Sequence, residues 1–168
     1  MKAYMTNGTY RFLKDLSKKH STIDFYFMNS ASGSLAYYEG SGKSIFASGR
    51  DYDIILKSGA LLEEGYVVMN NIPVTEEGMP VFENHFKERQ GNVDNMPGFQ
   101  ALRLLRPTSG NVYVVLTQWA TKQDFERWKN SDDFAKAHKD QVVKPPAYFA
   151  NKPFVTSYTM ITEDEEQS

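Results

Sequence analysis

Few residues in this chain have side chains able to hold a metal or activate a substrate. There are three histidines, His20, His85 and His138, and no cysteine. Without thiols, disulfides, iron-sulfur clusters and thiolate-held zinc are excluded. His20 closes the lysine-rich run KDLSKKH and reads as a surface residue favoured at a helix end by the dipole. His85 falls on the helical side of Val81 and Phe82 and reads as core-edge packing. His138 has a different context: it follows Phe134 at i, i+4, in the last turn of a short predicted helix, just before a proline-interrupted loop. An imidazole so placed can donate its lone pair to a metal, though helical periodicity alone suits an ordinary packed residue as well.

Other constellations carry less. GSGKS at Gly40–Ser44 suggests a phosphate loop, but that motif needs glycine five positions before Gly42 and the chain has Tyr37, so a hairpin turn is expected. Glu63, Glu64, Glu76 and Glu77 read as solvated carboxylates near helix ends, and no Ser/His/Asp signature is present.

The elements that must position these groups follow from hydrophobic periodicity. In the first half a strand over Lys2–Thr6 precedes a helix over Tyr10–Lys18. Strands are predicted over Thr22–Met28, Leu35–Glu39 and Ser44–Ala47, separated by SASGS and GSGK. Asp51 or Asp53 is expected to cap a second helix through Ile54, Ile55 and Leu56 toward Gly59. The second half repeats the plan: a strand over Tyr66–Val74, a helix over Thr75–Arg89 and a loop over Gly91–Gly98. Strands over Phe99–Arg106 and Val112–Trp119 form a hairpin through Pro107–Gly110. Thr121 with Asp124 caps a helix carrying Phe125 and Trp128, Ser131 caps the helix of Phe134 and His138, and Phe154–Ile161 is a last strand before an acidic tail.

Strand, helix, strand, strand, helix, strand is the order of a ferredoxin-like α+β unit, whose antiparallel sheet buries one face under helices. Its other face is apolar and needs cover, which two degenerate units in one chain supply by pairing sheet against sheet. The expectation is an intramolecular pseudo-dimer, monomeric in solution, with a degenerate unit over 1–64, a second domain over 65–161 and an acidic tail over 162–168. Composition agrees: 40% hydrophobic and 14% aromatic residues are ample for a core, and 19 basic against 21 acidic side chains give no basic stripe for nucleic acid. No run reaches the roughly 20 apolar residues of a membrane span, and the first residues do not read as a signal peptide, so a cytoplasmic location is expected.

The run TQWATKQDFERWKNSDDFAKAH, Thr117–His138, resembles the corresponding stretch of IsdG-type haem-degrading monooxygenases, within the antibiotic biosynthesis monooxygenase domain family. The likeness extends back through VVMNNIPVTEEG and NMPGFQALRLLRP and covers most of the second half. In that family an asparagine on the first strand, a tryptophan on the helix after the third strand and a histidine on the next helix line the haem pocket. The matching positions are Asn70, Trp128 and His138. Because side chains alternate along a strand, only one of Asn70 and Asn71 can face such a pocket, and alignment of the following residues favours Asn70. The extra first half resembles the longer Bacillus-type branch of the family, and there is a distant likeness to the staphylococcal TRAP signalling proteins.

The resemblance implies that haem is both substrate and cofactor, opened oxidatively with dioxygen and electrons from an external reductant. It implies that His138 ligates the iron, that Asn70 donates a hydrogen bond to activated oxygen, and that Trp128 presses the macrocycle out of plane. Phe82, Phe86 and Phe134 would form the apolar wall, and Arg89 or a lysine near Pro145–Pro146 would meet propionates. A non-catalytic signalling protein like TRAP and a cofactor-independent monooxygenase of an aromatic substrate are the alternatives.

Overall fold

The computed structural model describes residues 1–89, 92–136 and 146–162. The elements run β1 (Lys2–Gly8), α1 (Tyr10–Lys18), β2 (Tyr26–Ser30), β3 (Gly33–Gly40), β4 (Arg50–Gly59), β5 (Tyr66–Pro73), α2 (Met79–Arg89), β6 (Phe99–Pro107), β7 (Val112–Trp119), α3 (Lys122–Lys129) and β8 (Phe154–Met160). A further helical stretch occupies 132–136. The helix starts are capped as their sequences dictate. Thr9 Oγ1 accepts from Phe12 N at 3.2 Å, Thr75 Oγ1 from Gly78 N at 3.1 Å and Thr121 Oγ1 from Asp124 N at 3.1 Å.

The eight strands close into an antiparallel barrel in the order β1-β3-β2-β8-β5-β7-β6-β4. Each half contributes the same four-strand pattern, β4-β1-β3-β2 from the first and β8-β5-β7-β6 from the second, so the pseudo-dimer is a barrel made by joining two ferredoxin-like sheets edge to edge. The seams differ. β4 and β6 pair from Tyr52↔Pro107 to Gly59↔Ala101, whereas β2 and β8 pair only at Met28↔Met160 and Asn29↔Thr159. Inside lie Ala3, Met5, Leu35, Tyr37, Val67, Met69, Leu105 and Leu116, one face of each alternating strand. Arg103, 2% exposed, also points inward and spans the halves: its Nε donates to Glu39 Oε2 at 2.8 Å, and Tyr37 donates to the same carboxylate oxygen at 2.7 Å.

Two expectations for the first half fail, and the strand expected over Thr22–Met28 is shifted to β2, Tyr26–Ser30. Residues 50–59 are strand β4, not a helix. A β-bulge between Ile54 and Leu56 explains the misleading run: Ile54 opposes Leu105 inside the barrel, the extra residue Ile55 is absorbed, and Leu56 opposes Leu104 on the outer face. Three consecutive apolar residues thus reach both faces of one strand without helical turns. Ser44–Ala47 is not a strand either. It belongs to the irregular stretch 41–49, where Ile45 N donates to the Tyr38 hydroxyl at 2.9 Å and Phe46 packs edge-on to Tyr38 at 5.3 Å.

The halves are linked across one barrel end by residues 60–65. Gln118, fully buried on β7, accepts from Leu62 N and donates to Leu62 O, both at 2.8 Å. Gly65 then enters β5 at φ 126°, where a Cβ would lie 2.5 Å from Trp119 O; only glycine suits that approach.

Candidate functional site on the outer face of the second unit

Among the described residues, Asn70, Phe82, Phe86, Trp128 and Phe134 belong to the sheet face that α2 and α3 cover and to the helices on it. On β5, Val67 and Met69 point into the barrel, while Val68, Asn70 and Ile72 point outward. Asn71 is on the inner side, and its Nδ2 lies 3.2 Å from Met69 O, from Phe154 O and from Thr156 Oγ1. Asn70 is half-buried and its carboxamide makes no hydrogen bond among the described residues. Its cross-strand neighbours are Val115 on β7, half-buried, and Val155 on β8, 62% exposed. The free amide therefore stands where the helix-covered part of the face gives way to an open apolar part.

α3 brings Trp128 onto this face with only 5% of its surface exposed. Its indole stacks on Trp119 with centroids 6.5 Å apart and planes 24° apart, and Phe134 meets it edge-on at 5.5 Å. Ser131 starts the helical stretch 132–136, its Oγ accepting from Phe134 N at 3.1 Å, and so aims Phe134 at Trp128. Phe86 and Val115 pack on this cluster and equally on the neighbouring one beneath α2, which joins the two. Phe82, 3% exposed, lies deeper, edge-on to Tyr113 at 4.7 Å and to Tyr148 at 5.8 Å; it supports Phe86 from behind. Trp128, Phe134 and Phe86 are thus brought together, with Asn70 on the same face beside Val115. His138 and the side chain of Arg89 lie outside the described residues.

Three features here were invisible to sequence reasoning. Trp119 entered only as the last residue of a predicted strand, and the parity of Val115, Thr117 and Trp119 along β7 puts it on the outer face beneath Trp128. Tyr148 fastens residues 146–150 to the β5–α2 junction: Tyr148 O accepts from Thr75 N at 2.8 Å, its hydroxyl lies 3.3 Å from His85 Nδ1, and Val74 bridges Phe149. His85 is accordingly a half-buried packing residue, as expected. Finally, Glu83 pins α2 to the sheet. Arg106 donates to it twice, Nε to Oε2 at 2.8 Å and Nη2 to Oε1 at 2.7 Å, and the buried Tyr113 hydroxyl donates to Oε2. The Arg106 bonds hold the Glu83 carboxyl below its ordinary pKa against the opposing pull of burial, and burial raises the Tyr113 phenol well above its own.

The donor chemistry fits a flat apolar macrocycle with a polar centre: aromatic edges and faces from Phe86, Phe134 and Trp128, valines at the open margin, and one unbonded amide. Among the described residues no group of three His, Asp or Glu side chains could hold a bare metal ion. A concavity of about 520 Å³ lies elsewhere, beside the β2–β8 seam, lined by Phe25, Tyr26, Phe27, Glu63 and Met160 among others, and holds none of these residues. No helix among the described residues is long and apolar enough to cross a membrane.

Residues 65–140 match the family model for antibiotic biosynthesis monooxygenases. The signal transduction protein TRAP of Staphylococcus aureus is 30% identical over 133 residues, 79% of this chain and 80% of TRAP. A heme-degrading monooxygenase of Listeria monocytogenes is 26% identical over 130 residues, 77% of this chain and 78% of the enzyme. The solved structure of a major regulator of staphylococcal pathogenesis superposes with a TM-score of 0.85 at 27% identity, covering 95% of this chain and 99% of that one. With the matched model lying on the unit that carries Asn70 and Trp128, and with the barrel and its two-unit construction shared, the chain belongs to the antibiotic biosynthesis monooxygenase family.

Proposed function

We propose that the protein is a haem-degrading monooxygenase, opening haem with dioxygen and electrons from an external donor to release iron and a linear tetrapyrrole. The observation that carries this reading is Asn70: a half-buried, unbonded amide on the outer face of β5, between the exposed Val155 and Val115, which packs on the Trp128–Phe134–Phe86 group. The amide is accessible and uncommitted to any protein partner, so it is available to donate to a ligand lying over this face. In this reading residues 65–161 form the haem domain, residues 1–64 the degenerate half, and the chain acts as a monomer because it already contains both halves of its barrel.

Haem, when bound, supplies the iron at which dioxygen is reduced and the carbon skeleton that is oxidised. The protein's part is to bind, orient and exclude water. The imidazole of His138 would hold the iron. Asn70 Nδ2 donates a hydrogen bond where negative charge builds on oxygen. Trp128 would lie against the macrocycle, Phe86 and Phe134 would keep its surroundings dry, and Arg89 would pair with a propionate.

A second reading, a non-catalytic signalling protein of the TRAP kind, is favoured by the higher identity and the close superposition with the staphylococcal regulator. Titration with hemin separates the two. The haem reading expects a Soret band saturating at one hemin per chain, bleaching of that band when ascorbate is added in air, and loss of the ligated spectrum in His138→Ala with the far-UV circular dichroism unchanged. A colourless protein after gel filtration, or an unaltered Soret band in His138→Ala, would refute the enzymatic assignment.

A further inference from the structure

The indole of Trp128 is not placed by its own helix. α3 is only eight residues long, and apart from Phe125 and Trp128 its side chains are polar. What fixes the ring is the sheet beneath it. Trp119, with none of its surface exposed, ends β7 and is held on three sides: its Nε1–H donates to Thr117 Oγ1 at 3.0 Å, Phe99 meets it edge-on at 5.8 Å and Phe125 at 6.1 Å. Its stacked contact is Trp128, which Phe134 in turn meets edge-on. The Trp128 indole thus rests on a near-parallel ring belonging to the sheet and touches a perpendicular edge from the following helical stretch.

We infer that Trp119 is a positioning residue of the site, setting the plane and depth at which Trp128 meets the macrocycle; this rests on the haem reading above. It touches no substrate itself. Its consequence is a split between binding and turnover: the loss of the plate leaves iron ligation and apolar cover in place but lets Trp128 settle to a different depth.

The chain has only two tryptophans, and they are the stacked pair, so the arrangement has a haem-free signature. Two indoles at this separation should give an exciton couplet in the far-ultraviolet circular dichroism, present in the wild type and absent in Trp128→Phe, which retains Trp119. With hemin, Trp119→Leu should bind with affinity within about threefold of wild type yet turn over about tenfold or more slowly, with a shifted Soret maximum. Trp119→Phe, which restores an aromatic plate, should recover most of the rate. Thr117→Val, which removes only the acceptor of the Trp119 N–H, should move rate and spectrum in the same direction by less, and it serves if Trp119→Leu does not fold. A wild type without the couplet refutes the inference. So does Trp119→Leu, or Thr117→Val in its place, with wild-type turnover and spectrum, and in that case the haem reading stands. A wild type that shows the couplet but takes up no hemin removes the haem reading and the positioning role with it.

Discussion

Replacing Glu83 by alanine should destabilise the protein by about 2–3 kcal/mol at pH 7, and the cost should be pH-dependent with a sign fixed by the ion pair. The magnitude follows from which partners are stranded. Breaking a fully buried pair costs about 3–5 kcal/mol and an exposed one less than about 1. Here the Arg106 side chain is 41% exposed and can rehydrate, whereas Glu83, at 11%, also accepts from the buried Tyr113 hydroxyl, which would lose its acceptor at about 1–3 kcal/mol. The intermediate figure corresponds to a fall of about 5–10 °C in melting temperature for a chain of this size. Glu83→Gln keeps an acceptor for Tyr113 and should cost only about 1 kcal/mol. Because the folded pKa of Glu83 is depressed, its stabilisation is fully present above the ordinary carboxylate range and is lost as pH falls through the folded value. Urea unfolding followed by circular dichroism between pH 7 and pH 3 measures this directly. The gap between wild type and Glu83→Gln should close toward pH 3; a gap constant across that interval, or an alanine cost below about 0.5 kcal/mol at pH 7, would refute the reasoning.

Two further perturbations test the site and the barrel. Asn70→Ala should bind hemin but turn it over poorly with little change in melting temperature, whereas Asn71→Ala, which removes the amide bonded across to β8, should lower the melting temperature; the reverse pattern would exchange their roles. Arg103→Ala should destabilise by about 2–3 kcal/mol, below the figure for a fully buried pair because the Glu39 carboxylate keeps the Tyr37 hydroxyl and Lys57 at 3.8 Å, and Arg103→Met combined with Glu39→Leu should be less harmful than the single change, as urea unfolding would show.

Legibility differed between the halves for physical reasons. The strands at Tyr66, Phe99 and Val112 start where the alternation of apolar and polar residues starts, because one face of each packs in the barrel and the other under helices. The run Ile54–Ile55–Leu56 misled because a bulge reproduces, over three residues, the local density of a helical face, and a bulge depends on the partner strand. Ile45 and Phe46 misled because burial by side chains alone leaves no period. At the site, resemblance supplied Asn70 and Trp128. That Asn70 and not Asn71 carries the free amide depends on what β8 offers across the strand, and that Trp119 underlies Trp128 depends on where α3 returns to the sheet. Both are long-range facts that no window of sequence contains.

The same long-range view explains why a barrel with two similar units should carry one site. In the second unit the connection between the last two strands runs from residue 120 to 153, long enough to hold α3 and a further helical stretch and to leave the β5–β8 margin open. In the first unit the corresponding connection is only residues 41–49. Too short to arch away, it lies directly on the sheet, and the outward side chains of β1 hold it there: Tyr4 donates to Gly42 O and Thr6 to Ser48 O. Tyr4 stacks on Tyr38 at 4.7 Å, and Phe25 and Phe46 meet Tyr38 edge-on, each at 5.3 Å. β5 presents an unbonded amide beside open valines on its outer face, whereas on β1 the outward-facing hydroxyls are bonded to the loop and the aromatic rings already occupy the space a macrocycle would need. The first unit therefore closes the barrel, and on the haem reading proposed above the macrocycle would lie on the outer face of the second unit alone.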